Sequence, residues 1–318
     1  MLQILLIGIG AGAAAALLRV SVASGSLLAV LLAYLAPLPI LIAGIGWSYM
    51  AAVVAALFAA LCLVLAGYGQ VAVSFLVGMG LPSCWLAYLA LLARPADGSS
   101  QQAVEWYPAG RIVFWATIAG ALAVVIWIPY FGTDAESFHS NLRAFFEAQF
   151  GLRERPGGEL NPEAMRIDMN LVVKLVPTLA TVGATFALLI NTWLAARVVK
   201  LSNRLRRPWP DLSAMTFPKS APVLLAVALA GIFLPGLLSV AAEVFATALM
   251  MAFAILGFAV LHVATRNMSG RTVLLGVVYP TVILLIWPAI IMALIGLADT
   301  ALDLRGRISR TRGPPTLH

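Results

Sequence analysis

The stretch LVVKLVPTLATVGATFALLINTWLAA, Leu171–Ala196, decides the fold of this chain. It contains one charged residue, Lys174, whose long side chain can extend toward the membrane surface. A helix of roughly 20 apolar residues crosses the hydrocarbon core of a bilayer, so this stretch is long enough to span a membrane. We therefore predict a membrane-spanning helix and place the rest of the chain relative to it.

Segments of opposite charge flank this helix. Residues 131–170 contain seven of the thirteen acids of the chain: Asp134, Glu136, Glu147, Glu154, Glu159, Glu163 and Asp168. The segment that follows carries the bases Arg197, Lys200, Arg204, Arg206, Arg207 and Lys219. Because cytoplasmic loops of membrane proteins are enriched in Lys and Arg, we expect the basic loop 197–219 in the cytoplasm. The acidic loop 132–166 then lies outside the membrane on the opposite side.

The composition indicates a helical membrane protein. Of 318 residues, 62% are hydrophobic and 10% are charged, and the mean hydropathy is +0.99. A soluble domain has about 25% charged residues. We predict an all-α, polytopic transmembrane bundle in a bacterial inner membrane. Residues 1–304 would form one membrane domain, and residues 305–318 a basic, disordered cytoplasmic tail.

The net charge of +7 is accounted for by cytoplasmic loops that face anionic lipid. The sequence contains no nucleic-acid-binding motif, so membrane lipid is the expected partner. Catalytic signatures such as GxSxG, HExxH and Walker A are also absent. We therefore expect no enzymatic activity, no cofactor and no metal site, and we interpret Cys62 and Cys84 as packing residues.

Nine apolar runs give the expected topology. They cover residues 2–18, 25–44, 48–67, 71–93, 111–131, 170–197, 221–241, 244–265 and 272–298. Nine crossings would put the Arg-rich tail outside, which contradicts the positive-inside rule. We therefore expect about eight (8–9) transmembrane helices, with both termini in the cytoplasm. One of the last three runs would be re-entrant, broken at Pro235, Pro280 or Pro288.

The acidic loop contains a helical pattern of its own. Thr133 and Glu136 fit a capping box, in which two side chains cap the first turn of a helix. Apolar residues then recur at helical spacing: Phe138, Leu142, Phe145, Phe146 and Phe150. This pattern predicts an amphipathic helix on the outer surface or as a lid over the bundle.

Small residues repeat along the first apolar run. Gly8, Gly12 and Ala16 are four residues apart and share one helix face. Small residues at this spacing let two helices approach closely. The face would pack against a helix of the same chain, or it would be a docking face for another subunit.

Polar residues at membrane depth are candidate functional residues because their burial in hydrocarbon is costly. Asn191 would bind a ligand or form a hydrogen bond between helices. Glu243 would lie in a turn between two spans or within one long helix after Pro235. His262 would lie near the headgroups or in a proton relay. With the aromatic residues Trp47 and Tyr279, these three are our candidate ligand-binding residues.

Short motifs along most of the chain resemble those of the YybS-like or DUF2232 family of bacterial membrane proteins. They are Pro37–Pro39, Glu105–Gly110, Asn191–Arg197, Gly257–His262, Gly296–Asp299 and Asp303–Arg305. The family is similar in outline to the S-components of energy-coupling-factor vitamin transporters, although this chain has more apolar runs. That resemblance implies a ligand-binding bundle that docks, through Gly8, Gly12 and Ala16, onto a transmembrane coupling subunit with ATPases.

Two functions follow from these observations. The first is transport-related binding of a small hydrophobic or amphipathic solute, since Pro37, Pro82, Pro235 and Pro288 interrupt helices as in transporters. The second is a membrane scaffold or assembly factor that recruits cytoplasmic partners through the basic loop and tail. The sequence leaves the ligand and the oligomeric state open.

Overall fold

A computed structural model describes residues 1–24, 26–95, 104–149, 168–285 and 287–311. The first helices are α1 (Leu2–Val20), α2 (Leu27–Tyr34), α3 (Pro37–Gly46), α4 (Tyr49–Leu65), α5 (Gly69–Phe75) and α6 (Leu81–Leu91). An antiparallel ribbon of β1 (Ala93–Pro95) and β2 (Val104–Trp106) leads to α7 (Ala109–Val125), α8 (Ile128–Phe131) and α9 (Ala135–Gln149). The last are α10 (Met169–Leu201), α11 (Ala221–Gly231), α12 (Leu237–Ala264), α13 (Arg271–Leu285), α14 (Trp287–Leu302) and α15 (Leu304–Thr311).

The described part of the chain contains several helices that can cross a membrane. By length and composition, six stretches qualify: Leu2–Val20, Leu28–Gly46, Gly69–Leu91, Ala109–Phe131, Met169–Leu201 and Leu237–Ala264. Two further apolar helices, α4 and α11, are shorter. The predicted all-helical, multi-pass membrane architecture is therefore confirmed.

Helix α10 lies at the centre of the bundle. It packs against α3 and α6 on one side and against α7 and α12 on the other. One apolar cluster combines residues of α1, α3, α4 and α6 with Leu188 and Ala195 of α10. A second cluster forms around α11, α12 and α14. The helix predicted to organise the sequence therefore contacts helices of both clusters, and its buried side chains Leu188 and Ala195 belong to the first.

The small residues of α1 face α4 of the same chain. A Cβ atom on Gly8 would lie 2.6 Å from Val54, and one on Gly12 would lie 2.5 Å from the carbonyl oxygen of Ala55. Ala16 is also buried. Packing within the chain, the first of the two interpretations, therefore describes this face. The second interpretation, a docking face for another subunit, stays a prediction, and in the structure α4 covers Gly8 and Gly12.

The third quarter of the chain differs from the predicted boundaries. The break between the seventh and eighth runs lies before α12 at Gly236, where φ is +71°, a value that glycine adopts without strain. Glu243 consequently lies within α12 and not in a turn between two spans. Ser239 supports the break by donating its hydroxyl to the carbonyl of Ile232 over 2.7 Å.

The ninth apolar run is broken, and this break is one of the three that the sequence predicted. Arg271–Val282 and Trp287–Leu302 are bent by 116° to each other, so the break lies at Trp287-Pro288, whereas Pro280 is inside α13. Helix α14 then packs closely on α12, where Gly257 meets the backbone of Met292 and Gly296 meets the backbone of Phe253. A side chain at either glycine would separate the two helices.

The outer helix α9 is present, with one correction. Its N-terminal capping box is formed by Asp134 and Ser137, not by Thr133 and Glu136: the Ser137 N–H donates to Asp134 Oδ1 over 2.9 Å. The Asp134 N–H donates in return to the Ser137 hydroxyl over 3.3 Å. Phe138 and Leu142 are buried against α10 and α12, as predicted. Phe150 lies outside the described residues.

The tail also differs from the expectation of disorder. Leu304–Thr311 is helical and begins at a buried ion pair between Arg305 Nη2 and Asp299 Oδ2, 2.7 Å apart. Arg305 Nη1 also donates to the carbonyl oxygen of Ser213 over 2.6 Å. These contacts order the start of the tail, whereas residues 312–318 lie outside the described part.

We predict that Gly12→Leu destabilises the protein, whereas Gly10→Leu does not. The side chain at position 12 would collide with the α4 backbone, and overpacking of this kind costs typically 1–3 kcal/mol. Gly10 is on the same helix and has no atom within 4 Å of its Cβ position, so it is the matched control. Thermal unfolding of the purified protein measures the difference. Equal melting temperatures would show that α1 does not pack on α4.

We also predict that Asp134→Ala loosens α9 and that Thr133→Ala does not. Hydrogen bonds from the backbone and hydroxyl of Ser137 lower the pKa of Asp134. A depressed folded-state pKa gives stability that is present above the unfolded pKa, about 3.9, and is lost as the pH falls through the folded pKa. Hydrogen exchange of residues 135–149 should therefore accelerate in Asp134→Ala at pH 7, and in the wild type only below pH ~4. If exchange accelerates in Thr133→Ala instead, the capping box is formed by Thr133 and Glu136.

Candidate functional site

The two ends of the bundle differ in charge. We call the end that carries residues 202–220 the basic end, and the end that carries α9 the acidic end. The C-terminus of α3 lies at the basic end, because Arg204 covers the ring of Trp47 at 4.5 Å and Arg206 donates to its carbonyl over 3.2 Å. The start of α7 lies there too, since Arg207 Nη2 donates to the carbonyl of Tyr107 over 3.2 Å.

An apolar slot opens at the basic end between α7 and α10. Its volume is about 230 Å³. Side chains of α7, α10 and the following connection line most of it, among them Ile112, Leu189, Trp193 and Leu205. The residue that brings charge to this lining is Arg207. The shape and chemistry of the slot suit a hydrocarbon chain more than a polar solute.

A wider polar cleft of about 720 Å³ adjoins the slot. The two spaces share the wall residues Val113, Trp209, Pro210, Leu212 and Ile255. The charged and titratable side chains that line the cleft are Asp211, His262, Arg266, Arg271 and Tyr279. An apolar slot and a charged cleft with a common wall form one amphipathic site.

His262 organises the polar side of this site. Its Nδ1 lies 3.1 Å from Arg271 Nη2, and its Nε2 lies 2.7 Å from the hydroxyl of Tyr279. A guanidinium can only donate, so Nδ1 accepts and the proton of the neutral imidazole is assigned to Nε2. Nε2 then donates to the Tyr279 oxygen. The Tyr279 hydroxyl hydrogen therefore remains available to donate to another acceptor.

Two arginines at the site each have a buried N–H group that donates no hydrogen bond to a described residue. The Nε atoms of Arg207 and Arg271 are buried and have no hydrogen-bond partner among the described residues. Burial also lowers the pKa of Arg207, because the charged guanidinium is partly removed from water. Unsatisfied buried donors of charged groups are costly, on the order of 1–3 kcal/mol or more each.

Asp211 limits the positive charge of the cleft. Hydrogen bonds from the hydroxyl and backbone N–H of Ser213 lower its pKa, and the charge of Arg266 contributes in the same direction. Asp211 is therefore a carboxylate at neutral pH, opposite two arginines that line the same space. The cleft keeps a net positive charge.

The candidate residues from the sequence do not converge on one site. His262 and Tyr279 come together in the cleft, and their rings are 6.1 Å apart. Trp47 is at the basic end but outside both linings, with its indole N–H buried and unpartnered among the described residues. Glu243 lies at the acidic end, where it accepts a hydrogen bond from Thr178 over 2.6 Å.

Asn191 supports the break between α2 and α3. Pro37 and Pro39 have no N–H, and the Leu38 N–H bonds to Leu35, so the Tyr34 carbonyl lacks its normal helical donor. Asn191 Nδ2 donates to that carbonyl over 2.8 Å. Asn191 is fully buried, and its second hydrogen bond stays within α10. The hydrogen bond between helices, one of the two interpretations of Asn191, is the one observed.

Sequence reasoning missed the arginines and the tryptophan that complete the site. Arg207 and Trp209 belong to the predicted basic loop 197–219, and Arg266 and Arg271 fall between the predicted apolar runs 244–265 and 272–298. For Arg207 and Trp209, the available signal was the group of basic residues that lies between Trp193 and Trp209. The ring of Trp209 lies 5.4 Å from the Arg197 guanidinium and 4.8 Å from the Lys200 ammonium.

Comparisons with known proteins give a family. A family model described as "Predicted membrane protein (DUF2232)" matches residues 13–300. The match confirms the resemblance inferred from the short motifs. No curated protein and no solved structure matches the chain. Among the described residues, no group of three or more His, Cys, Asp or Glu could hold a metal ion.

We predict that Asn191→Leu destabilises the bundle by about 1–3 kcal/mol, because it leaves the Tyr34 carbonyl buried without a donor. Thr192→Val is the matched control, since the Thr192 hydroxyl bonds only within α10, to Leu188. Thermal unfolding of both variants without added ligand measures the effect. An unchanged melting temperature for Asn191→Leu would return Asn191 to the candidate ligand-binding residues.

Proposed function

Because the chain belongs to the DUF2232 family of predicted membrane proteins, whose description names no activity, we propose a function from its own geometry. It binds an amphipathic anion at its basic end, as the ligand-binding step of a transport-related function. The observation that carries this proposal is the apolar slot that shares a wall with a cleft containing Arg266 and Arg271. The proposal involves no chemical step.

The proposed topology has eight crossings and puts the basic end in the cytoplasm. The six long stretches and the shorter α4 and α11 are the spans. α13 and α14 are re-entrant, since Arg271 at one end contacts His262 and Arg305 at the other contacts Ser213, both at the basic end. Both termini are then cytoplasmic, consistent with the positive-inside rule.

The chemistry of the site favours a single-chain amphiphile with a phosphate or similar head group. The alkyl chain would enter the slot beside the apolar side chains of Leu189 and Trp193. The head group would pair with the guanidinium groups of Arg266 and Arg271 and accept a hydrogen bond from the Tyr279 hydroxyl. Charge-assisted hydrogen bonds to phosphate are the strongest that these side chains form.

Helix α12 connects this site to the opposite end of the bundle. Its C-terminal half lines the cleft with Phe258 and His262, and its N-terminal half lines a separate cleft with Val240 and Glu243. Two clefts at opposite ends of one helix are compatible with a transport-related function. An ATPase-coupled partner, implied by the S-component resemblance, would dock outside the α1 face because α4 covers it.

A scaffold function is the second candidate. Arg197, Lys200 and Arg204 are exposed at the basic end and lie over Trp209 or Trp47, where they could hold an acidic protein or lipid surface. A scaffold of this kind needs neither the slot nor the cleft. Variants inside the slot therefore separate the two functions.

We predict that dodecyl phosphate binds the full-length protein in nanodiscs of zwitterionic lipid and that Arg271→Gln weakens binding about tenfold or more. Arg206→Gln removes the same charge from an exposed position and should have little effect. Ala196→Phe fills the slot and should weaken dodecyl phosphate binding without changing inorganic phosphate binding. Equilibrium binding of radiolabelled ligand gives the affinities.

Two results would contradict the proposal. Equal affinity for dodecyl phosphate and dodecyltrimethylammonium would show that the arginines do not select an anionic head group over a cationic one. Equal losses in Arg206→Gln and Arg271→Gln would indicate a diffuse basic surface, as the scaffold function requires. The melting temperature of each variant controls for misfolding.

A further inference from the structure

A second cleft lies at the acidic end, beneath α9, and its volume is about 790 Å³. Helices α9, α10 and α12 form its walls together with the turn before α12. Its charged and titratable side chains come from each of these helices. They are Glu136, His139 and Arg143 from α9, Lys174 from α10 and Glu243 from α12.

Glu243 has no cationic partner among the described residues. It lies two turns inside α12, a helix apolar enough to span a membrane, and it is partly buried. Its Oε1 accepts a hydrogen bond from the Thr178 hydroxyl over 2.6 Å. No basic nitrogen of the described residues lies within 4.0 Å of it. An ionised side chain at such a position is expensive unless it is paired.

The opposite wall of the cleft carries a free ammonium. Lys174 precedes Thr178 by one turn on the same face of α10, and it forms no ion pair with a described residue. Arg143 is already engaged, with Glu147 at 2.7 Å and Asn170 at 3.1 Å. His139 has its Nδ1 held by the carbonyl of Ala135 at 2.6 Å. Among the described residues that line the cleft, Lys174 is therefore the cation without an ion-pair partner.

We propose that this cleft binds a zwitterion, with the ligand ammonium at Glu243 and Thr178 and the ligand anion at Lys174. The Glu243 and Lys174 side chains line one space, and no ion pair joins them in the structure. A ligand that carries an ammonium at one end and an anion at the other can contact Glu243 and Lys174 at the same time. An aminoalkyl phosphate has this pattern, either as a free solute or as the head group of an ethanolamine phospholipid. The site is independent of the amphiphile site at the basic end.

The first experiment uses soluble probes. The full-length protein is placed in nanodiscs of phosphatidylglycerol, which offers no ammonium, and titrated with phosphoethanolamine by calorimetry. We expect saturable binding that is about tenfold weaker in Glu243→Gln and in Lys174→Gln. Glu105→Gln and Lys219→Gln make the same charge changes elsewhere and should leave binding unchanged. Ethanolamine and inorganic phosphate, each with half of the pattern, should bind about tenfold more weakly or worse.

The second experiment identifies the source of the zwitterion. Nanodiscs that contain a small fraction of phosphatidylethanolamine are used, and lipid retained by the purified protein is measured by mass spectrometry. Retention that is lost in Glu243→Gln and kept in Glu105→Gln, without binding of soluble phosphoethanolamine, assigns the site to a lipid head group. The proposal is overturned if neither probe binds, if both cleft variants bind as the wild type does, or if ethanolamine alone binds as tightly. Melting temperatures of all variants show whether they are folded.

Discussion

Helices in this protein approach one another at glycine, and the rest of the bundle depends on those contacts. In hydrocarbon there is no hydrophobic force between helices, so close packing has to hold them together. Gly12 meets the backbone of α4, Gly120 meets Thr185 of α10, and Gly257 meets the backbone of α14. These contacts join α1 to α4, α7 to α10 and α12 to α14. A bulkier residue at any of them would move a whole helix.

Close packing also decides where a ligand can bind. Along the middle of α12 small side chains such as Ala248 and Ala252 are fully buried, and Thr181 of α10 is buried as well. Space opens where α12 reaches its ends and longer polar side chains replace the small ones. This explains why the candidate residues do not meet in one central cavity. Asn191 is used to satisfy the Tyr34 carbonyl, while Glu243 and His262 lie in different clefts.

Much of the architecture was predictable, because membrane spans follow from hydrophobicity and length. The long helix after the acidic loop, the amphipathic helix α9 and the break at Trp287-Pro288 are examples. Details that depend on one residue of register were not predictable. Thr133 with Glu136 and Asp134 with Ser137 both fit a capping pattern, and the backbone geometry selects the second pair.

Contacts between segments that are distant in the sequence could not be predicted either. The stripe Gly8, Gly12 and Ala16 indicates close packing but carries no information about which helix supplies the other face. Asp211, Arg266 and Arg271 line the cleft at the basic end although they are far apart in sequence. Residues of α7 and α10 likewise line the adjoining slot. No local pattern specifies these pairs. Only the fold shows that an apolar space and a basic one share a wall.

We propose that an amphipathic anion inserts its alkyl chain between α7 and α10. Photo-crosslinking detects this insertion, with an alkyl phosphate that carries a diazirine at the end of its alkyl chain. We predict crosslinks within residues 109–116 and 189–196, and their loss when excess dodecyl phosphate is added. Crosslinks spread over the exposed faces of α1, α4 and α11, without competition, would contradict the claim and leave the slot without a ligand.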